Sequence, residues 1–166
     1  MGLRPTAVFV AEGVAVDGLT SRLTIFNVID AVFVQALPAR LGKLFVVVTY
    51  ELVAESVIVT ERVRLQAPDH RVLMESEAEI ETVAREPNQM PNGHRSIHAM
   101  WNLKLSELGD HVLSVEHKRA GQSEWISVAR TLVTVTKAPY PFFVPLQSES
   151  SADAKSNDDS TDVERH

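Results

Sequence analysis

Along most of the chain the hydrophobic pattern has a period of two. In SVIVTERVRLQ, Val57, Val59, Val63 and Leu65 fall on one side with Glu61 as the only charge among them, while Thr60, Arg62, Arg64 and Gln66 fall on the other. This is the alternation of a strand with one buried face. APDH follows, a turn with Pro68 in its second position. RVLMESEAEIETV then returns with Val72, Met74, Ala78 and Ile80 on one side and Glu75, Glu77, Glu79 and Glu81 on the other, which predicts a hairpin. A helix is the alternative for ESEAEIETVARE, because Glu and Ala favour helices. At helical spacing, however, the glutamates would scatter around most of the circumference.

KLFVVVTYELV is apolar on both faces through Val48, as expected of a central strand, and TIFNVIDAVFVQALP behaves similarly until Pro38 ends it. Toward the C-terminus SIHAMWNLKL, HVLSVEHK and EWISVARTLVTVTK are separated by the turn-like SELGD and RAGQS. Strands at this spacing, with no internal repeat, predict an all-β fold: a single antiparallel β-sandwich, immunoglobulin-like or C2-like, over residues 1–137. Residues 138–146, with Tyr140, Phe142 and Phe143 among prolines, read as an extended strap. Its aromatics lie across the domain's own apolar surface or, alternatively, form an exposed docking segment. Residues 147–166 are rich in Ser and Asp and read as a disordered acidic tail.

Charge sharpens this division. The whole chain carries −6, and the tail alone holds Glu149, Asp153, Asp158, Asp159, Asp162 and Glu164 against Lys155 and Arg165, a net −4 that leaves the first 146 residues at −2. A nearly neutral domain does not fit a nucleic-acid binder, whose footprint is a basic patch. No apolar stretch is long enough for a transmembrane helix, and Glu12 interrupts the only run resembling a signal peptide. With no cysteine there is no disulfide, thiolate zinc site or cysteine nucleophile, and a cytoplasmic location is expected.

GHRSIHAMWNLKLSELGDHVLSVEH holds four of the six histidines and raises the question of a metal site. His94 and His98 have i, i+4 spacing, but Ile97, Ala99, Trp101, Leu103 and Leu105 alternate with His98, Met100, Asn102 and Lys104, which reads as a strand with His98 outward. Four strand residues span about 13 Å, whereas zinc ligands lie about 2 Å from the ion. A hairpin about SELGD, with Trp101 opposite Val115 and Leu103 opposite Leu113, would put His111 and His117 on the Leu113 and Val115 face and His98 on the opposite one. No metal site, cofactor or catalytic residue is therefore assigned. No G-x-S-x-G, H-E-x-x-H, Walker or dinucleotide motif is present.

Carboxylates in the Glu75–Glu81 ladder recur about every 6.6 Å. They read as a solvated face, partly paired with Arg62 and Arg64 and with Arg62 near Glu75, or alternatively as a dock for a cationic partner. Asn27 and Asp30 are read as residues at a bend or strand end, and Trp101 and Trp125 as core.

VFVAEGVAVDG, LTIFNVIDAVF and LPARLGKLFVVVTYEL together resemble a family of small uncharacterised bacterial proteins. The resemblance is carried by Asp17, Gly18, Leu23, Ile25, Val28, Ile29, Asp30, Leu37 and Pro38, mainly over the first third of the chain. Asn27 stands where that pattern has glycine. The resemblance implies a β-sandwich and no known activity. The expected function is a non-enzymatic protein-interaction or scaffolding module with an unidentified protein partner, capable of homo-oligomerisation. The alternatives are a small-molecule or carbohydrate binder or loop-sited hydrolase using Trp101, His94 and His98, and a subunit of a phage or secretion-type assembly.

Overall fold

A computed structural model describes residues 3–51, 56–82 and 94–139. The expected tail and all but the first two residues of the strap lie outside the described residues. The elements are β1 (Pro5–Val16), β2 (Leu23–Val28), β3 (Ala31–Val34), β4 (Ala39–Tyr50), β5 (Val57–Gln66), β6 (Val72–Thr82), β7 (Arg95–Leu105), β8 (Gly109–Arg119) and β9 (Ile126–Lys137). They form a four-stranded sheet in the order β2-β1-β4-β7 and a five-stranded sheet in the order β3-β9-β8-β5-β6. The described residues are all-β, with two sheets packed about one core.

That core follows from the alternation. Leu44, Val46 and Val48 of β4 and Met100, Leu103 and Leu105 of β7 meet Val59, Val63 and Leu65 of β5, Leu113 and Val115 of β8, and Val133 and Val135 of β9. Each such side chain contributes about 1.5–3 kcal/mol when fully buried. The β5–β6 hairpin is present, with Ala67 and His70 closing the turn around Pro68. RAGQS turns β8 into β9, and β4 is central, between β1 and β7.

Four expectations need correction. First, the sandwich is not wholly antiparallel, because β3 pairs in parallel with β9. TIFNVIDAVFVQALP is not one central strand but β2 and β3, in different sheets. The break is abrupt: the Ile29 amide still donates to Val10 in one sheet, and the carbonyl of the next residue, Asp30, accepts from Thr134 in the other. Asn27 and Asp30 do lie at this bend. Asn27 has φ 52°, a conformation glycine adopts freely, and its amide donates to the Glu12 carboxylate rather than to backbone.

Second, SELGD is a corner between sheets and not a hairpin: β7 pairs with β4, and β8 lies between β5 and β9. Arg71, just after the β5–β6 turn, holds the corner by donating to Ser106 Oγ and Glu107. Third, His98 faces inward with Met100, while Ile97, Ala99 and Trp101 face out. The strand changes face at Asn102, which has φ 53°, and β4 changes face with it: Leu41 and Leu44 both reach the core across Gly42, the residue opposite Asn102 in the register. Fourth, neither tryptophan fills the core. Trp101 is 56% exposed with the Lys43 ammonium over its ring, and half-buried Trp125 has Arg62 and Lys118 against its ring. Cation–π attraction suits both rings to the outer faces.

The β1–β2 hairpin runs on beyond its sheet. β1 leaves β4 after Ala11 and continues with β2 alone as far as Val16. Asp17 Oδ1 caps the turn by accepting from the Leu19 and Thr20 amides. Arg95, at the opposite end of the sheet, donates to the Ser21 carbonyl, so the arm folds back over the outer face. On that face Val47, between Phe9 and Ile97 in the register, is fully buried.

Left-handed backbone at Asn102 strains a β-branched residue but not glycine. Asn102→Val is expected to lower unfolding free energy by about 1–3 kcal/mol and Asn102→Gly to stay near wild type, as measured by urea denaturation. Equal losses in both variants would show that the side chain, and not the face switch, matters there.

Candidate functional site

Three strands bring the principal ionisable groups together. The inward phase of β5 places Glu61 in the core opposite Ala78 of β6 and His117 of β8, and β7 lowers His98 onto it from the other sheet. Glu61 is fully buried, with His98 2% and His117 6% exposed. His98 Nε2 lies 2.8 Å from Glu61 Oε1, and His117 Nε2 lies 3.4 Å from Oε2. Ser96 Oγ donates to the same Oε1, and Tyr50 Oη lies 3.2 Å from His117 Nε2. Ser76 Oγ is 3.0 Å from His98 Nδ1.

A carboxylate can only accept, so each imidazole nitrogen bonded to it carries a proton. The hydrogen on His98 that meets Glu61 is thus on Nε2, and Nδ1 is the nitrogen that faces Ser76. Burial alone would raise the Glu61 pKa. Hydrogen bonds from His117, His98 and Ser96, with the charge of His98, outweigh burial and lower it from 4.5 to about 2. Glu61 is thus an ion held inside the sandwich.

A model of a family of unknown function, DUF6941, matches residues 6–120. The chain belongs to the DUF6941 family. No curated protein matches the sequence. The DUF6941 match runs from β1 to β8, well past the first third of the chain, and contains Tyr50, Glu61, Ser76, Ser96, His98 and His117, while β9 lies beyond it.

Of the residues singled out in the sequence of this DUF6941 protein, His98 and His117 meet across the core. His94 is half-buried beside them, its ring 6.1 Å from that of Tyr50; burial lowers its pKa while the Glu61 charge pulls the other way. Trp101 lies on the opposite face of β7 and takes no part. His111 faces inward with Leu113, as the alternation predicts, but bonds through Nδ1 to Gly109 at 3.1 Å, away from Glu61. Among the described residues no group of three or more His, Cys, Asp or Glu side chains is placed to hold a metal. The glutamate ladder does face outward on β6, but Arg64 pairs with Glu75, whereas Arg62 turns to Glu116 on β8.

Sequence reasoning missed Glu61 as the centre of the cluster. Its signal was present: a lone charge on an otherwise apolar strand face needs buried partners, and two inward-capable histidines were available.

Ser76, His98 and Glu61 also have the order of contacts found in a nucleophile–base–acid relay. The His98 ring is buried, with one nitrogen engaged by Ser76 and the other by Glu61.

Because the folded pKa of Glu61 lies below the unfolded value, the unfolded chain binds the extra proton. The stabilisation is complete above about pH 4.5 and is lost as pH falls toward 2. It amounts to about 3 kcal/mol at one pKa unit per 1.36 kcal/mol. Urea midpoints measured from pH 5 to 2.5 should fall more steeply in wild type than in Glu61→Gln; parallel slopes would mean another group carries the linkage.

Proposed function

We propose that this DUF6941 protein is a non-enzymatic interaction module that binds a protein partner through the outer face of its four-stranded sheet. The observation that carries this reading is an apolar patch at one end of that face. Val28 is 60%, Trp101 56% and Ile97 38% exposed, around Ala99 and over a floor of Ala11 and Phe45. Contiguous exposed apolar surface with an aromatic centre is what protein interfaces use. The ionisable cluster is meanwhile sealed, which leaves recognition to the surface. On this reading the domain is an immunoglobulin-like or C2-like recognition sandwich acting in the cytoplasm, with neither nucleic acid nor membrane as its target.

The hydrolase alternative is favoured by one contact set, Ser76–His98–Glu61, in which Ser76 is only partly buried. A fluorophosphonate probe separates the two. Non-enzymatic function predicts no labelling of Ser76; stoichiometric labelling that disappears in Ser76→Ala would overturn it.

For the interface itself, Trp101→Ser with Val28→Ser should weaken capture of the partner at least ~10-fold, a loss typical of interface hot spots, with the thermal midpoint unchanged. Full retention of every partner by a folded double variant would remove this face from consideration.

A further inference from the structure

We propose that the outer face of the five-stranded sheet holds a binding site for a single phosphate group, formed by Arg64 of β5, Ser114 of β8 and Arg130 of β9. The site lies on the opposite side of the sandwich from the docking face and is independent of that reading.

One hydroxyl of that face is unsatisfied. Ser114 follows the outward phase of β8, between Leu113 and Val115 of the core, yet it is only 7% exposed, and its Oγ is closed to solvent with no hydrogen-bond partner. Buried polar groups are almost always bonded, so an orphan marks a place where a partner is missing. The register supplies the groups around it. Arg64 stands directly opposite Ser114 on β5 and Arg130 directly opposite on β9, so the three side chains leave the same face in one row. Directly opposed residues have Cβ atoms about 5 Å apart, close enough for two long guanidinium groups to converge above the hydroxyl between them. Arg64 uses Nε to hold Glu75 at 2.9 Å and keeps its terminal amino groups for another acceptor. Arg130 is exposed and makes no hydrogen bond or ion pair among the described residues. Entry of a ligand needs only Arg130 to swing aside and close again.

The nearest carboxylates on β8 do not fill the site: Glu116 is held by Arg62, and Asp110 accepts from Thr134 Oγ1. Donors on two sides and a third beneath fit a tetrahedral oxyanion, whose oxygens guanidinium groups bind in pairs. A planar carboxylate offers only two oxygens, and Arg64 already has one such partner in Glu75. The remaining glutamates of the β6 ladder share this face and repel a polyanion, which restricts the ligand to one phosphate group, free or as a monoester. In the next row of the same face Val112 lies opposite Leu132, 49% exposed, and offers apolar surface to an organic substituent.

The test titrates the full chain with inorganic phosphate and, separately, with phenyl phosphate at constant ionic strength, following backbone amide resonances by NMR. Saturable shifts at Arg64, Ser114 and Arg130 are expected with both compounds. Tighter binding of phenyl phosphate makes a monoester the ligand, and equal affinity makes it free phosphate; no saturable shift with either overturns the proposal. Arg130→Gln should weaken binding by about ten-fold or more, the loss that follows removal of a hydrogen bond between charged groups, and Ser114→Ala should weaken it several-fold. Arg40→Gln, exposed on β4 of the other sheet, should bind as wild type does. Equal losses in Arg40→Gln and Arg130→Gln would reduce the effect to general charge attraction and overturn the site. Without phosphate, Ser114→Ala should unfold at the same urea concentration as wild type or a higher one, because its hydroxyl has no partner to lose. A lower midpoint would reveal a structural bond at Ser114 and overturn the assignment.

Discussion

An ionised carboxylate inside a protein must be surrounded by donors, because removing it from water costs several kcal/mol even after relaxation. Glu61 meets that requirement only by drawing on both sheets. Ser96 and His98 come from β7 of one sheet, His117 from β8 of the other, with Tyr50 of β4 and Ser76 of β6 behind the imidazoles. The cluster therefore sets how the sheets sit on each other. A slip of β5 by one residue would turn Glu61 to solvent and bring Thr60 or Arg62 against the histidines. Apolar packing alone is more tolerant, since valines and leucines on facing sheets can exchange neighbours at modest cost.

The arrangement separates the interior from the surface by chemistry. Inside, His98 and His117 surround the Glu61 carboxylate. The aromatic side chains best suited to recognition lie outside, with cations over their rings: Lys43 on Trp101, Arg62 and Lys118 on Trp125. Arg62 is held in turn by Glu116.

Strand character was legible wherever alternation ran unbroken. β5, β6 and the turn between them follow from Val57, Val59, Val63, Leu65 and Pro68, and the inward phase of His111 and His117 follows from Leu113 and Val115. Pairing was less legible. β7 and β8 alternate in ways that suit a hairpin as well as a corner between sheets, and the corner is set by long-range pairing, β7 with β4 and β8 with β5 and β9. The face of His98 was lost for a local reason. A single left-handed residue, Asn102, reverses the phase that Leu103 and Leu105 suggest for everything before it. Asn27 lies at the other phase-breaking point, where β2 ends and the chain crosses sheets. The candidate site was hidden because it is made by long-range contact: Glu61, His98 and His117 are adjacent only once the sandwich has closed.

The parallel pairing of β3 with β9 has a consequence for how the molecule is made. The last of the described strands is not an edge; it is inserted between β3 and β8, and it lies beyond the stretch that the family model matches. During synthesis β3 emerges about a hundred residues before its partner, and until β9 leaves the ribosome β8 presents an open edge of unpaired amides and carbonyls. High sequence separation of this kind slows closure. The nascent domain must therefore wait, incompletely sheeted, for β9, and until that strand is inserted its open edges are exposed to mispairing.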